Sequence, residues 1–151
     1  MNTNTKYFGE IDYEEEEILT FPKGIFGFED ETRFLLLPFA GGNNNLLSLQ
    51  SLATPPLAFV VLDPFSLDPS YTPVLQAEEL RQMEVSDSQN LYYYVMCVVK
   101  DPVGDSTVNL RCPVVINGDT CKAMQVILED ETYQMRHLLS EFGRSEEESS
   151  C

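Results

Sequence analysis

One histidine, four cysteines and a large excess of carboxylates are the groups in this 151-residue chain that could do chemistry. A nucleophile needs a base beside it and a third group to orient that base. His137 stands alone in a segment with helical character, where a histidine more often sits at a surface or a cap than acts as a base. No GxSxG elbow, HExxH pair, phosphate-binding P-loop or GxGxxG after a strand occurs. The glycines at 24 and 27 are not followed by the helix pattern that phosphate cradling requires. Carboxylates are so abundant that no pair stands out as an acid–base dyad. The expectation is that the chain is not an enzyme and has no catalytic residues and no cofactor.

Cys97, Cys112, Cys121 and Cys151 form no CxxC pair and no zinc-ribbon spacing, so no metal site is expected. Cys97 and Cys112 lie inside apolar runs and read as small buried hydrophobes, while Cys151 reads as an exposed thiol in a loose tail. The N-terminus has no basic segment leading into an apolar one, and no apolar run is long enough to span a bilayer. A cytoplasmic location and no membrane contact are the default, with a disulfide as the minor alternative for these thiols.

Nine basic against twenty-five acidic residues give a formal net charge of −16. Such a field repels phosphate backbones and excludes direct nucleic-acid binding, whereas it speeds encounter with a basic protein. Simple solubility explains the charge equally well. The run Glu14, Glu15, Glu16 and Glu17 reads either as a charged strand edge that blunts aggregation or as a docking surface for a basic partner.

The elements that position these groups are mostly strands. β-branched and aromatic runs at Ile18–Phe21, Arg33–Pro38, Leu46–Leu52, Leu57–Leu62, Leu91–Val99, Val108–Ile116 and Met124–Leu128 alternate with Gly, Pro, Asn and Asp. Loops are expected at 41–45 and 101–105. Asn117-Gly118 predicts a tight hairpin turn between Val114 and Val126. Helices are expected over Leu75–Met83 and, from a partial apolar stripe, over Glu131–Phe142. Length and a 43% apolar composition fit one domain over 1–143 that buries roughly 70% of its unfolded surface, with a disordered acidic tail at 144–151. The fold class is all-β with one or two short helices, and periodicity leaves barrel and sandwich open.

The most specific local feature is Phe21-Pro22-Lys23-Gly24-Ile25-Phe26-Gly27-Phe28, a string of large apolar side chains punctuated by two glycines. Gly24 and Gly27 supply positive φ or close approach, so the segment reads as a tight apolar corner. This corner resembles the F-x-x-G-I-P-G-F signature of the FliW family, with Phe26 in place of the usual proline. Leu49-Gln50-Ser51, Leu57-Ala58-Phe59-Val60-Val61 with Asp63-Pro64-Phe65, and Ser106 to Asn117 resemble further blocks of that family, and Gln125 to Leu128 followed by Tyr133 completes the order.

The resemblance implies a small, closed or nearly closed antiparallel β-barrel. It also implies a flagellar assembly factor with two protein partners. One is flagellin. The other is the basic, dimeric translational repressor CsrA, which the family antagonises, so that the two partners switch and control flagellin translation. Free protein is expected to be a monomer, which separates it from a self-assembling structural subunit. Alongside the glutamate run, Lys23, Phe26, Asn109 and Arg111 are the candidate partner-binding residues, although Asn109 reads equally as a satisfied strand-end polar group. The competing reading is a ligand-binding or enzymatic β-barrel with an internal pocket.

Overall fold

The structure is a computed structural model that describes residues 1–39, 46–84, 91–100 and 105–138. The loop at 41–45, most of that at 101–105, the domain boundary at 143 and the tail at 144–151 lie outside the described residues. The strands are β1 (Asn2–Thr5), β2 (Gly9–Asp12), β3 (Leu19–Thr20), β4 (Arg33–Pro38), β5 (Leu46–Ser51), β6 (Ala58–Leu62), β7 (Leu91–Val98), β8 (Thr107–Val108), β9 (Val114–Asn117), β10 (Ala123–Gln125) and β11 (His137–Leu138). Two short helices, α1 (Pro64–Leu67) and α2 (Ala77–Gln82), follow β6. The mostly-β reading and the helix within Leu75–Met83 agree with this layout.

β1 and β2 form a separate hairpin. The remaining nine strands make one antiparallel sheet in the order β10-β9-β7-β6-β5-β4-β3, with β8 and β11 continuing from β7. Both faces of this sheet are buried, which is why its strands read as near-continuous apolar runs rather than alternating ones. One face carries Phe34, Leu49, Val61, Val114 and Ile116, packed with Phe21, Ile25 and Ala123. The other carries Leu62, Val95, Cys97, Val108 and Val115, packed with Tyr71, Met83, Leu128 and Tyr133.

The sheet does not close into a barrel, which corrects the closed form implied by the resemblance. Its two end strands, β3 and β10, meet through one parallel bridge, Thr20 with Lys122, where the Thr20 N–H donates to the Cys121 carbonyl at 2.9 Å. Continued pairing would need the N–H of residue 22 as the next donor toward β10, and Pro22 has none. The chain then turns away at Gly24 (φ +69°).

Two further expectations need correction. The segment 131–138 is not helical. Asp130 accepts from the Thr132 N–H at 2.9 Å, the Gln134 carbonyl takes the N–H groups of Leu110 and Arg111, and His137–Leu138 pairs with β8. These tertiary partners satisfy the backbone that a helix would have satisfied, and the partial apolar stripe is too weak to compete. The hairpin between Val114 and Gln125 exists, but Asn117-Gly118 is not a two-residue turn. Asn117 starts a wider loop whose left-handed residue is Cys121 (φ +61°), not Gly118.

The Val108–Ile116 run is one path broken by a bulge. Cys97 faces Val108 and Tyr94 faces Val114, so three steps along β7 oppose six along its partner. The surplus residues loop out around Asn109, whose side-chain oxygen accepts from the N–H groups of Arg111 (3.2 Å) and Cys112 (2.9 Å).

Candidate partner-binding surface

Each sequence-derived candidate has a definite place, and they fall on three patches. Glu14 to Glu17 are all exposed: Glu14 caps a one-turn 3-10 helix over Glu15–Glu17, and its N–H is held by Glu17 at 2.8 Å. The run is therefore a turn between β2 and β3 rather than a strand edge. Glu15 and Glu16 border a depression shared with Arg33, Asp119 and Cys121. The Cys121 thiol donates to the Glu16 carbonyl at 3.4 Å, which ties the acidic turn to the β9–β10 loop.

Asn109 and Arg111 are half-buried and lie in the bulge, outside any strand. Asn109 caps the bulge, and the Arg111 guanidinium donates to the Leu128 carbonyl at 3.0 Å. Of the two readings weighed for Asn109, the satisfied polar group is the one with a structural partner set. Asn109 also borders an apolar groove of about 520 Å³ with Tyr7, Val98, Val99 and Met135.

Lys23 and Phe26 come together in a third groove of about 420 Å³, walled by the apolar corner on one side and by Gln76, Glu78, Glu79 and Gln82 of the α2 region on the other. Residues 124–127 form its floor. The corner is a β-turn: the N–H of Phe28 donates to the Ile25 carbonyl at 2.6 Å, and Gly27 supplies the positive φ (+86°) at the third position. Phe26 therefore occupies the second position, where proline is favoured, and the turn survives its absence. The Phe26 N–H, which proline would lack, donates to the Gln125 side chain at 3.1 Å. The Phe26 ring stays 48% exposed, while Phe21 and Ile25 on either side of Gly24 are buried.

Lys23 donates to Gln82 at 3.1 Å across the groove mouth. Hydrogen bonds from Arg81 and Gln82 hold the Glu78 carboxyl below its ordinary range, so it stays charged on the rim. Sequence reasoning missed Gln76, Glu78, Glu79 and Ile127 on this surface. Nothing in the sequence set Ile127 apart from the apolar run Met124–Leu128; the structure leaves it 49% exposed.

The buried polar residues in the matched blocks serve the scaffold. Gln50 accepts from the Lys6 N–H at 2.9 Å and donates to the Pro55 carbonyl at 2.9 Å, fastening the β1–β2 hairpin to the sheet. The hydroxyls of Ser51 and Thr54 donate to the two oxygens of Glu31. The Tyr71 hydroxyl donates to the Leu110 carbonyl at 2.6 Å, and burial raises its pKa well above that of free tyrosine.

Burial pushes the Cys97 thiol up to about 11 and raises that of Cys112. Thiolates are the reactive form. In the native protein, iodoacetamide is expected to modify the partly exposed Cys121 while sparing Cys97 and Cys112. Peptide mass mapping checks this, and equal labelling of all three would contradict it. Among the described residues, no group of three or more His, Cys, Asp or Glu is placed to hold a metal ion, and no helix is long and apolar enough to cross a membrane.

Fold and surface together define a small, acidic, antiparallel β protein whose distinctive features are open grooves and a charged turn. The chain belongs to the FliW family, whose model, described as FliW protein, matches residues 2–139. The flagellar assembly factor FliW of Geobacillus sp. (strain WCH70) is 40% identical over 139 residues, covering 92% of this chain and 95% of that protein. That of Ruminiclostridium cellulolyticum is 35% identical over 139 residues, covering 92% and 94%. A crystal structure of the flagellar assembly factor FliW superposes with a TM-score of 0.85 at 38% identity, covering 92% of this chain and 96% of that one.

Proposed function

We propose that this chain is a cytoplasmic flagellar assembly factor that binds flagellin and, when flagellin is scarce, binds CsrA and relieves its repression of flagellin translation. The observation that carries this reading is near full-length similarity to proteins named flagellar assembly factors. Charge supports it: at −16, the chain attracts a basic repressor and repels that repressor's RNA. The chain works by protein binding, without catalysis or cofactor. If its effect on CsrA is allosteric, RNA weakens its binding to CsrA by the same factor by which it weakens RNA binding.

Calorimetry with a CsrA dimer and with flagellin, separately and together, tests the reading. Binding to both, with flagellin displacing CsrA, is the expected result, and binding to neither overturns it. Within that frame, the exposed turn at Glu14 to Glu17 is assigned to CsrA. Glu14→Lys with Glu16→Lys is expected to weaken CsrA binding about tenfold at low salt and to flatten its salt dependence. An affinity that is the same at low and high salt in the unaltered protein would remove the electrostatic part.

A further inference from the structure

The two ends of the large sheet part company at Pro22, and what they leave between them is a trough floored by backbone. Along β10 and its extension, the Val126 N–H donates to the Pro113 carbonyl at 3.1 Å and the Leu128 N–H to the Arg111 carbonyl at 2.8 Å. The Lys122 carbonyl accepts from the Asn117 N–H at 2.8 Å. Residues 122, 124, 126 and 128 thus face β9 and the bulge, and by antiparallel alternation 125 and 127 face the opposite way. On that side β3 would have been the neighbour, but its pairing stops at the Thr20–Lys122 bridge. The outward backbone groups of Gln125 and Ile127 have no backbone partner among the described residues. Of the two, Ile127 is the open one at 49% exposure, whereas Gln125, at 7%, lies beneath the corner with the Phe26 N–H on its side chain.

The trough above this edge is the groove of about 420 Å³ together with a smaller one of about 180 Å³. Both include Lys23, Gln82 and Met124, and the Lys23–Gln82 hydrogen bond crosses the line between them. Their walls differ in chemistry. In the larger groove the corner presents the exposed ring of Phe26, next to the exposed Ile127 on the floor, whereas α2 presents Glu78 and Glu79. Lys23 stands where the two grooves meet, and Lys122, paired with Glu84, lines the smaller one. A strand laid in the trough would send alternate side chains to opposite walls. One set meets apolar surface and the other meets carboxylates.

We infer that this open seam is a strand-acceptor groove, in which an extended partner segment alternating apolar with lysine or arginine side chains pairs with the outward backbone of Gln125 and Ile127. The main-chain bonds supply affinity, and the two walls select the side-chain pattern. The strongly acidic character of the chain favours the same basic segment. From the proposed function this takes only that the chain works by holding proteins.

The test uses the full chain labelled with 15N and a synthetic octapeptide alternating valine and lysine. At saturation, the amides of Gln125 and Ile127 are expected to exchange about tenfold more slowly, while those of Val126 and Leu128, already bonded, stay unchanged. Ile127→Pro removes an outward N–H without touching an inward bond and is expected to weaken the peptide about tenfold. Ile127→Lys, at an exposed side chain, weakens it by repulsion and serves as the check should proline disturb the fold.

Peptide-induced shifts spread over the acidic surface, with Gln125 and Ile127 still exchanging, would overturn the inference. So would protection of these amides by self-association of the free protein, which would make the occupant a second copy. Flagellin and CsrA in the same assay report on the partner switch separately. Binding of both proteins while the peptide leaves both amides exchanging sinks the seam and leaves the switch standing. Capture of the peptide while neither protein binds does the reverse.

Discussion

Gly24→Ala is expected to destabilise the protein by about 3 kcal/mol or more in urea unfolding. Gly24 has φ +69°, and a Cβ there would sit 2.5 Å from the backbone of Glu29. Left-handed backbone alone costs a non-glycine residue about 1–2 kcal/mol. The contact adds to this, because its partner is main chain and cannot rotate aside. Yielding would move Phe21 and Ile25, both buried on one face of the sheet. Gly27→Ala is the internal control. Its φ is +86°, but nothing lies within 4 Å of the added carbon, so only the conformational cost of about 1–2 kcal/mol applies. Equal losses at the two positions would mean that the tight packing of the corner is not what fixes Gly24.

This corner also shows how far sequence reading carried. The two glycines and the large apolar residues around them were enough to infer a sharp, buried turn, because positive φ and burial are local properties of residue type. The strand runs were legible for the same reason, and so was the helix at α2. What escaped depended on partners distant in sequence. The helix expected over Glu131–Phe142 lost, within 131–138, to hydrogen bonds with β8 and the bulge, 23 to 31 residues away in the chain. Asn109 looked like a strand residue until the mismatch in register between β7 and β8–β9 made it a cap.

The seam is the sharpest case. Pro22 was visible in the sequence, but its consequence was not. A missing N–H matters only where a neighbouring strand would have received it, and which strand lies beside β3 is a fact of topology. The candidate residues behaved likewise. Lys23 and Phe26, neighbours in the corner, share a groove, while the sequence of its other wall, from α2, carries no signal linking it to them.

The buried side chain of Asn117 ties α2 to the β9–β10 loop, and its replacement yields the second large effect. Its amide nitrogen donates to the Met83 carbonyl at 2.7 Å, at the C-terminus of α2. Its oxygen accepts from the N–H of Asp119 at 2.8 Å and more weakly from that of Thr120 at 3.4 Å. The residue is 1% exposed, so water cannot replace these partners. Asn117→Ala strands a carbonyl and at least one N–H, an expected loss of about 3 kcal/mol. Asn117→Asp is the more telling variant. It keeps the acceptor but turns the donor into a carboxylate facing the Met83 carbonyl. Burial and that facing dipole raise the aspartate's folded pKa above its unfolded value of about 3.9, because only the protonated acid can donate to Met83. A group with a raised folded pKa stabilises below its unfolded pKa, and that contribution disappears as pH rises through the folded value. Measured as a difference from the unaltered protein, which removes the contribution of every other carboxylate, the Asn117→Asp deficit should be smallest near pH 4. It should grow as pH rises and level off once the acid is ionised. A deficit that does not change between pH 4 and 8 would mean that the Met83 contact is not what the amide supports, leaving its role to the β9–β10 loop alone.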